Sequence, residues 1–208
     1  MRIESLAAQP DRAGRHKVVF EDGSVMRLYP HTIQDHGLYP GLELTEEQLT
    51  ELREAASEMS AKMRAVRIVA ASSVSRRDLE QRLIHKGEDP EKAKKAVDWM
   101  EELNLIDDRK TAEQIVRRCA AKGYGRNRAK QALYEKRIPK EYWEAALEDY
   151  PDQEEAITDF LRQKLGDSYD DREVKRAVDA LLRRGHSYPK IRKALQSLSM
   201  ETEIQEDY

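Results

Sequence analysis

Cysteine is almost missing from this 208-residue chain, and Cys119 is the single copy. One thiol excludes an internal disulfide framework and suits a reducing compartment. Aromatic residues are 6% of the chain, which speaks against an all-β sandwich with a large aromatic core. No apolar run approaches the ~20 residues that span a bilayer. The opening MRIESLAAQP has neither the basic n-region nor the apolar h-region of a signal peptide. These absences predict a cytoplasmic protein with no membrane contact.

Catalytic and cofactor signatures are also missing. His16, His31, His36, His85 and His186 never stand three or four residues apart, so no helical metal pair forms. Gly123-Tyr124-Gly125 lacks a third glycine and a preceding strand, and no Gly-Lys-Ser or Gly-Lys-Thr occurs. It reads instead as a helix-ending glycine followed by a flexible N-cap. Cys119 shares an apolar helix face with Ala112, Ile115 and Val116, as a buried structural thiol would. The adjacent carboxylates Asp107-Asp108 and Asp170-Asp171 suit helix starts better than an acid/base pair. Trp99 and Trp143 lie in amphipathic stretches and read as core. The expectation is a non-enzymatic protein with no cofactor and no metal.

What the chain has is charge. Charged residues make up 37% of it, with a net charge of −3. The charge is zoned. Residues 109–140 hold eleven Lys or Arg against two Glu, and 172–193 hold eight against two acids. Residues 141–159 carry eight acids and no base, and 201–208 add four acids. Such zoning predicts surfaces of opposite sign.

It also nearly repeats itself. AEQIVRRCAAKGYG from Ala112 is echoed 62 residues later by VKRAVDALLRRGHS from Val174. In this register Ile115 meets Ala177, Val116 meets Val178, Ala120 meets Leu182 and Gly123 meets Gly185. The following helices continue with Ala129 on Ile191 and Leu133 on Leu195. A weaker copy lies 50 residues upstream, carried by Val66, Ala70, Ser75, Leu79 and Leu83. Repeated helical units bury their apolar faces on their neighbours and make extended surfaces. The fold class expected is mainly α: tandem three-helix repeats in an elongated array, with a small N-terminal β-hairpin module.

The pattern divides the chain as follows. Residues 1–44 form a β-rich module in which HKVVF and VMRLY flank the Asp22-Gly23 turn, RIESLAAQ supplies a third strand, and Pro30, Gly37, Pro40 and Gly41 break the chain. Thr45 to Gln48 is a capping box for a connecting helix over 45–60. A helix near 61–71, placing Met63, Val66, Val69 and Ala70 together on one face, opens a first repeat over 61–106. That repeat also holds a helix burying Ala93, Ala96, Val97, Met100 and Leu103. A second repeat covers 107–150. A linking helix at 152–165 and a third repeat, with helices from Asp170-Asp171 and over 187–197, fill 151–208. The last ten residues are an acidic tail expected to fray.

The candidate partner- or DNA-binding residues are basic and recur in equivalent places. Arg117, Arg118, Lys122, Arg126, Arg128 and Lys130 belong to the second repeat. Arg183, Arg184, Lys190, Arg192 and Lys193 belong to the third. Tyr124, between basic helices, is the candidate exposed aromatic. For any single residue a solvated helix face is the commoner explanation, but the repetition predicts a basic surface able to meet phosphates or an acidic protein groove.

The segments SRRDLEQRLIHKG from Ser75, EELNLIDDRKTAEQIVRRCAAKGYGRNRAKQALYEKRIPKEYWEAAL from Glu101, and ALLRRGHSYPKIRKAL from Ala180 resemble the RecX family of bacterial recombination regulators. Leu103-Asn104-Leu105-Ile106-Asp107-Asp108 and the passage Arg183 to Ile191 carry the family's motifs, and the resemblance covers residues 61–197. The β-rich start resembles an extension found in some members. Two residues depart from the pattern: Arg137 and Asn104 stand where glycine is usual. The resemblance implies a monomer that binds the RecA recombinase filament, alters its ATP hydrolysis and strand exchange, usually by inhibition, and so tunes recombination and the SOS response. Direct contact with single- or double-stranded DNA is compatible with it. Two other readings of the residues remain open: a free-standing helical DNA-binding module, and a helical scaffold for another protein.

Overall fold

A computed structural model describes residues 1–166 and 170–206, with side chains to residue 198. The chain is mostly helical, with a small antiparallel sheet at its N-terminus. It divides into two compact units, Met1–Ser73 with Leu79–Ile106, and Val74–Asp78 with the chain from Asp107 onward. No described helix is long and apolar enough to cross a membrane.

In the first unit, β1 (Ile3–Leu6), β2 (His16–Phe20) and β3 (Val25–Leu28) pair in sequence order. Val18 faces Met26 and Val19 faces Val25, a register fixed by the Asp22-Gly23 turn. Gly23 takes φ +79°, and the Asp22 carboxylate accepts from the Ser24 N–H at 2.9 Å. A three-stranded sheet this small is not stable alone. Its core residues Ile3, Val18, Phe20 and Leu28 therefore share one cluster with Leu49 and Leu52 of the following helix. Pro30 does not break the chain. It occupies the first turn of α1 (Pro30–Asp35), where its missing N–H costs nothing.

The capping box forms as read. The Gln48 N–H donates to the Thr45 hydroxyl (3.2 Å), and the Thr45 N–H donates to the Gln48 amide oxygen (3.0 Å). The helix it opens, α2, runs unbroken over Glu46–Ala71, so the helices expected on either side of residue 60 are one. Its second half does not bury Met63, Val66, Val69 and Ala70. Ala61 and Ala65 are buried instead, with Met63, Val66 and Val69 half-buried and Ala70 exposed. The reason is α4 (Pro90–Glu102), which packs along α2 and contributes its own buried Ala93 and Ala96. Small residues let the two helices approach closely, and Lys92–Glu54 (2.9 Å) and Lys95–Glu58 (2.7 Å) pair at the rim. Leu103 lies just past α4 and is exposed rather than core. Between these helices lies α3 (Arg76–His85), whose first turn belongs to the second unit.

The second unit holds two three-helix groups. The first is α5 (Asp108–Ala121), α6 (Arg126–Glu135) and, after a 3-10 turn at Lys140–Tyr142, the short α7 (Trp143–Leu147). Ala112, Val116, Cys119, Ala129, Leu133, Ile138 and Leu147 form its core. The second is α8 (Glu154–Leu165), α9 (Asp171–Arg183) and α10 (Tyr188–Glu206), around Ile157, Leu161, Leu181 and Ile191. The 62-residue register holds in part: Ala129 and Ile191 are both buried, as are Cys119 and Leu181, while Ile115, Val178 and Leu195 are half-buried where Ala177, Val116 and Leu133 are buried. The pair Ala120 and Leu182 lies one step off this stripe, with Leu182 exposed. The helix expected to stop near 197 continues to Glu206, so the acidic tail begins as helix; Asp207 and Tyr208 lie outside the described residues.

Helix ends follow the glycines. Gly87, Gly123 and Gly185 close α3, α5 and α9 with φ of +89°, +65° and +85°. At the two departures from the family pattern, Asn104 and Arg137, φ is +55° in both. They hold the left-handed position that glycine adopts without a steric penalty.

Candidate partner-binding surface

Asp107 and Asp108 serve different partners and do not converge. Asp107 caps α5 by accepting from the Lys110 N–H at 3.0 Å. Asp108 is buried and accepts from the Arg76 N–H at 2.9 Å. Burial pushes its carboxyl above the ordinary range, against the pull of that N–H. Cys119 is buried, and burial likewise pushes its thiol up, away from the thiolate a nucleophile needs.

Two helix–helix turns with basic residues on either side of them pack on each other. The Gly125 N–H donates to the Arg184 carbonyl (2.9 Å), and the Asn127 N–H to the Gly185 carbonyl (3.3 Å). His186 is buried, and its Nε2 donates to the Gly123 carbonyl at 3.0 Å. Burial holds this imidazole below its ordinary pKa, with Arg184 and Lys190 adding to the effect. The turn closing α5 is thereby tied to the turn closing α9. Lys122, Arg126 and Arg128 from one turn flank the same junction as Arg183 and Arg184 from the other. A cleft of about 290 Å³ opens there, lined by Arg126, His186 and Lys190 along with Asp152.

The candidates are not equivalent. Arg128 is half-buried and held by Glu135 at 3.0 Å. Arg184 lies over the Phe160 ring, 4.3 Å from its centroid. Arg117 is highly exposed and only loosely paired with Glu113, at 3.7 Å. Lys190 pairs with Asp152 (2.8 Å), and Lys193 with Glu154 (2.9 Å). The expected separation of acidic and basic zones therefore fails here: the second half of the acidic block pairs with α10. Arg118, Lys122, Arg126, Lys130, Arg183 and Arg192 are exposed and make no ion pair among the described residues.

Tyr124 does not stand out into solvent. It is half-buried against the Val116–Leu133 core, and its carbonyl accepts from the Tyr150 hydroxyl at 2.7 Å. Burial pushes that hydroxyl up to about 12. The exposed aromatic of this region is Tyr134 on α6, 67% accessible, which the sequence reading missed. Its helical phase contained the signal: Leu133 faces the core, so the next residue turns away from it.

The chain has counterparts among known proteins. The family description "RecX, second three-helix domain" matches residues 107–147. A regulatory protein RecX of Stenotrophomonas maltophilia is 31% identical over 134 residues, covering 63% of this chain and 82% of that protein. The chain belongs to the RecX family. Another member, from Chlorobaculum tepidum, is 30% identical over 146 residues, covering 69% of this chain and 91% of its own. In fold, the chain is similar to a crystal structure of regulatory protein RecX, with a TM-score of 0.66 at 19% identity, covering 92% of this chain and 98% of that one. The RecX domain match takes in α5, α6 and α7, and its span of 107–147 holds six of the basic candidates.

Proposed function

We propose that this RecX-family chain is a non-enzymatic, monomeric, cytoplasmic regulator that binds the RecA nucleoprotein filament and inhibits its ATP hydrolysis and strand exchange, so tuning recombination and the SOS response. The observation that supports this most is the group of exposed cations around the Gly125–Gly185 junction, of which Lys122, Arg126 and Arg183 make no ion pair among the described residues, in a family whose members are named regulatory proteins. Unpaired surface cations add little to folding but steer association with a surface of opposite sign. A filament carrying nucleic acid offers such a surface many times over. Contacts that are weak one at a time become strong when neighbouring helical groups engage successive protomers, because each added contact forms at high effective concentration.

Sedimentation tests the reading. RecA filaments assembled on single-stranded DNA with a slowly hydrolysed ATP analogue should carry the chain into the pellet in proportion to RecA. The same DNA without RecA, at physiological salt, should leave most of it in the supernatant. Equal recovery on bare DNA, falling steeply as salt rises, would favour a free-standing DNA-binding module instead.

A further inference from the structure

A second cleft lies wholly within the second unit and shares no lining residue with the cleft at the Gly125–Gly185 junction. Its volume is about 670 Å³, room for a large side chain with backbone on either side of it. Ile138, Pro139 and Trp143 line it with apolar surface, and the exposed Tyr134 borders it. Arg77, Arg137 and Lys140 also line it, are exposed, and make no ion pair among the described residues. The acid on its wall, Glu135, is already engaged by Arg128 at 3.0 Å and by the Gln131 amide at 3.3 Å.

The polar groups of its floor are used up by the fold. The Trp143 Nε1–H donates to the Ile138 carbonyl at 2.9 Å, and the Ile138 N–H donates to the Leu133 carbonyl at 3.0 Å. The buried Ser75 hydroxyl donates to the Lys136 carbonyl at 2.7 Å and pins the turn that bears Arg137. Arg137 sits at φ +55°, a conformation that favours glycine, and so presents its guanidinium at a conformational cost. Apart from the Tyr134 hydroxyl and the committed Trp143 N–H, the lining side chains are either apolar or charged. A nucleobase would bring hydrogen-bonding edges to this floor with nothing to meet them, which is costly. An aliphatic or aromatic side chain carries no such penalty.

We propose that the cleft docks an extended acidic segment of a partner protein, seating one apolar side chain on Ile138, Pro139 and Trp143 and pairing the flanking carboxylates with Arg77, Arg137 and Lys140. Charge complementarity carries the choice of occupant. Cations spaced around an apolar floor match an apolar anchor set between carboxylates, and a guanidinium meets a carboxylate through two parallel N–H···O bonds. Glu135 offers little opposition, because Arg128 neutralises it. Arg77, Arg137 and Lys140 stand outside the cations assigned to the RecA filament. The test contains no RecA, so its failure would leave that assignment standing.

A fluorescein-labelled peptide of glutamates around a central phenylalanine is titrated with the full chain and followed by fluorescence anisotropy. The natural chain should bind it, and should bind the same peptide with serine in place of phenylalanine at least about threefold more weakly, since the apolar anchor is gone. Arg137→Gly removes the guanidinium and relieves its backbone, so the circular dichroism should stay native. It should weaken binding at least about threefold, the scale of one lost exposed ion pair, and Arg77→Gln should do the same. Lys94→Gln, at an exposed cation in the other unit, should leave the affinity unchanged. No binding, equal affinity for the serine peptide, or equal effects of Arg137→Gly and Lys94→Gln would overturn the proposal. A short oligo-deoxythymidylate that binds more tightly than the peptide, with the same dependence on Arg137, would also overturn it and assign the cleft to nucleic acid.

Discussion

Gly125 and Gly185 approach so closely that neither leaves room for a side chain. A Cβ on Gly125 would lie 2.1 Å from the Gly185 carbonyl oxygen, and a Cβ on Gly185 would lie 2.2 Å from the Arg128 nitrogen. Each obstacle is backbone, which cannot swing aside, and the contact joins equivalent turns of two helical groups.

Substituting these glycines should therefore cost far more than helix-ending glycines usually do. Gly185→Ala adds a clash to a residue at φ +85°, and Gly125→Ala adds a clash alone. Each should destabilise the second unit by at least about 1–3 kcal/mol, the cost of overpacking. Gly87→Ala, at φ +89° with open space around it, should cost only about 1–2 kcal/mol. Urea midpoints of the three variants, followed by circular dichroism, check the order.

Asn104 and Arg137, the two non-glycine residues in left-handed conformation among the described residues, make the opposite prediction. Asn104→Gly and Arg137→Gly should each leave the fold intact and raise stability, by up to about 1 kcal/mol. Arginine should gain more than asparagine, which tolerates this region better. A fall in the urea midpoint of Arg137→Gly would mean that its side chain contributes more to packing than its exposure suggests.

His186 should make stability depend on pH. Its folded pKa lies below the ordinary 6.5, because the ring is buried. The unfolded chain thus binds the proton more readily, and stability rises with pH across the window between the two values. The contribution is complete above about 6.5 and is lost as pH falls through the folded value. Melting temperatures measured between neutral and mildly acidic pH should drop more for the natural chain than for His186→Gln.

Freeing the paired lysines should sharpen the basic surface. Asp152 and Glu154 hold Lys190 and Lys193 in exposed pairs. Such pairs are worth little to folding, typically ~0–1 kcal/mol. Asp152→Asn with Glu154→Gln should leave the melting temperature nearly unchanged. It should also speed association with an anionic filament, an effect that surface plasmon resonance would show to shrink with added salt.

Local chemistry was the readable part of this chain. Thr45 to Gln48, Asp22-Gly23, and the glycines at 87, 123 and 185 act through neighbours a few residues away, and the structure has them as the sequence suggests. Errors arose where a distant element decided the outcome. The α4 alanines drew Ala61 and Ala65 inward in place of Met63 and Val66. Tyr124 is covered by packing against the α5–α6 core, and Lys190 and Lys193 are claimed by acids 38 and 39 residues away. Gly125 read only as a flexible cap, yet its tight constraint comes from Gly185 and no local pattern carries it.

The central claim is that the unpaired cations at the junction of the two helical groups engage the RecA filament, and one measurement bears on it most directly. RecA's DNA-dependent ATP hydrolysis is followed with increasing amounts of the natural chain and of Lys122→Glu with Arg126→Glu. Both positions are exposed and unpaired among the described residues, so the variant should fold and melt as the natural chain does. The account predicts inhibition by the natural chain and an inhibition curve shifted at least about tenfold to higher concentration for the variant, since each 1.4 kcal/mol lost is a factor of ten. Superimposable inhibition curves from two equally folded proteins would contradict it.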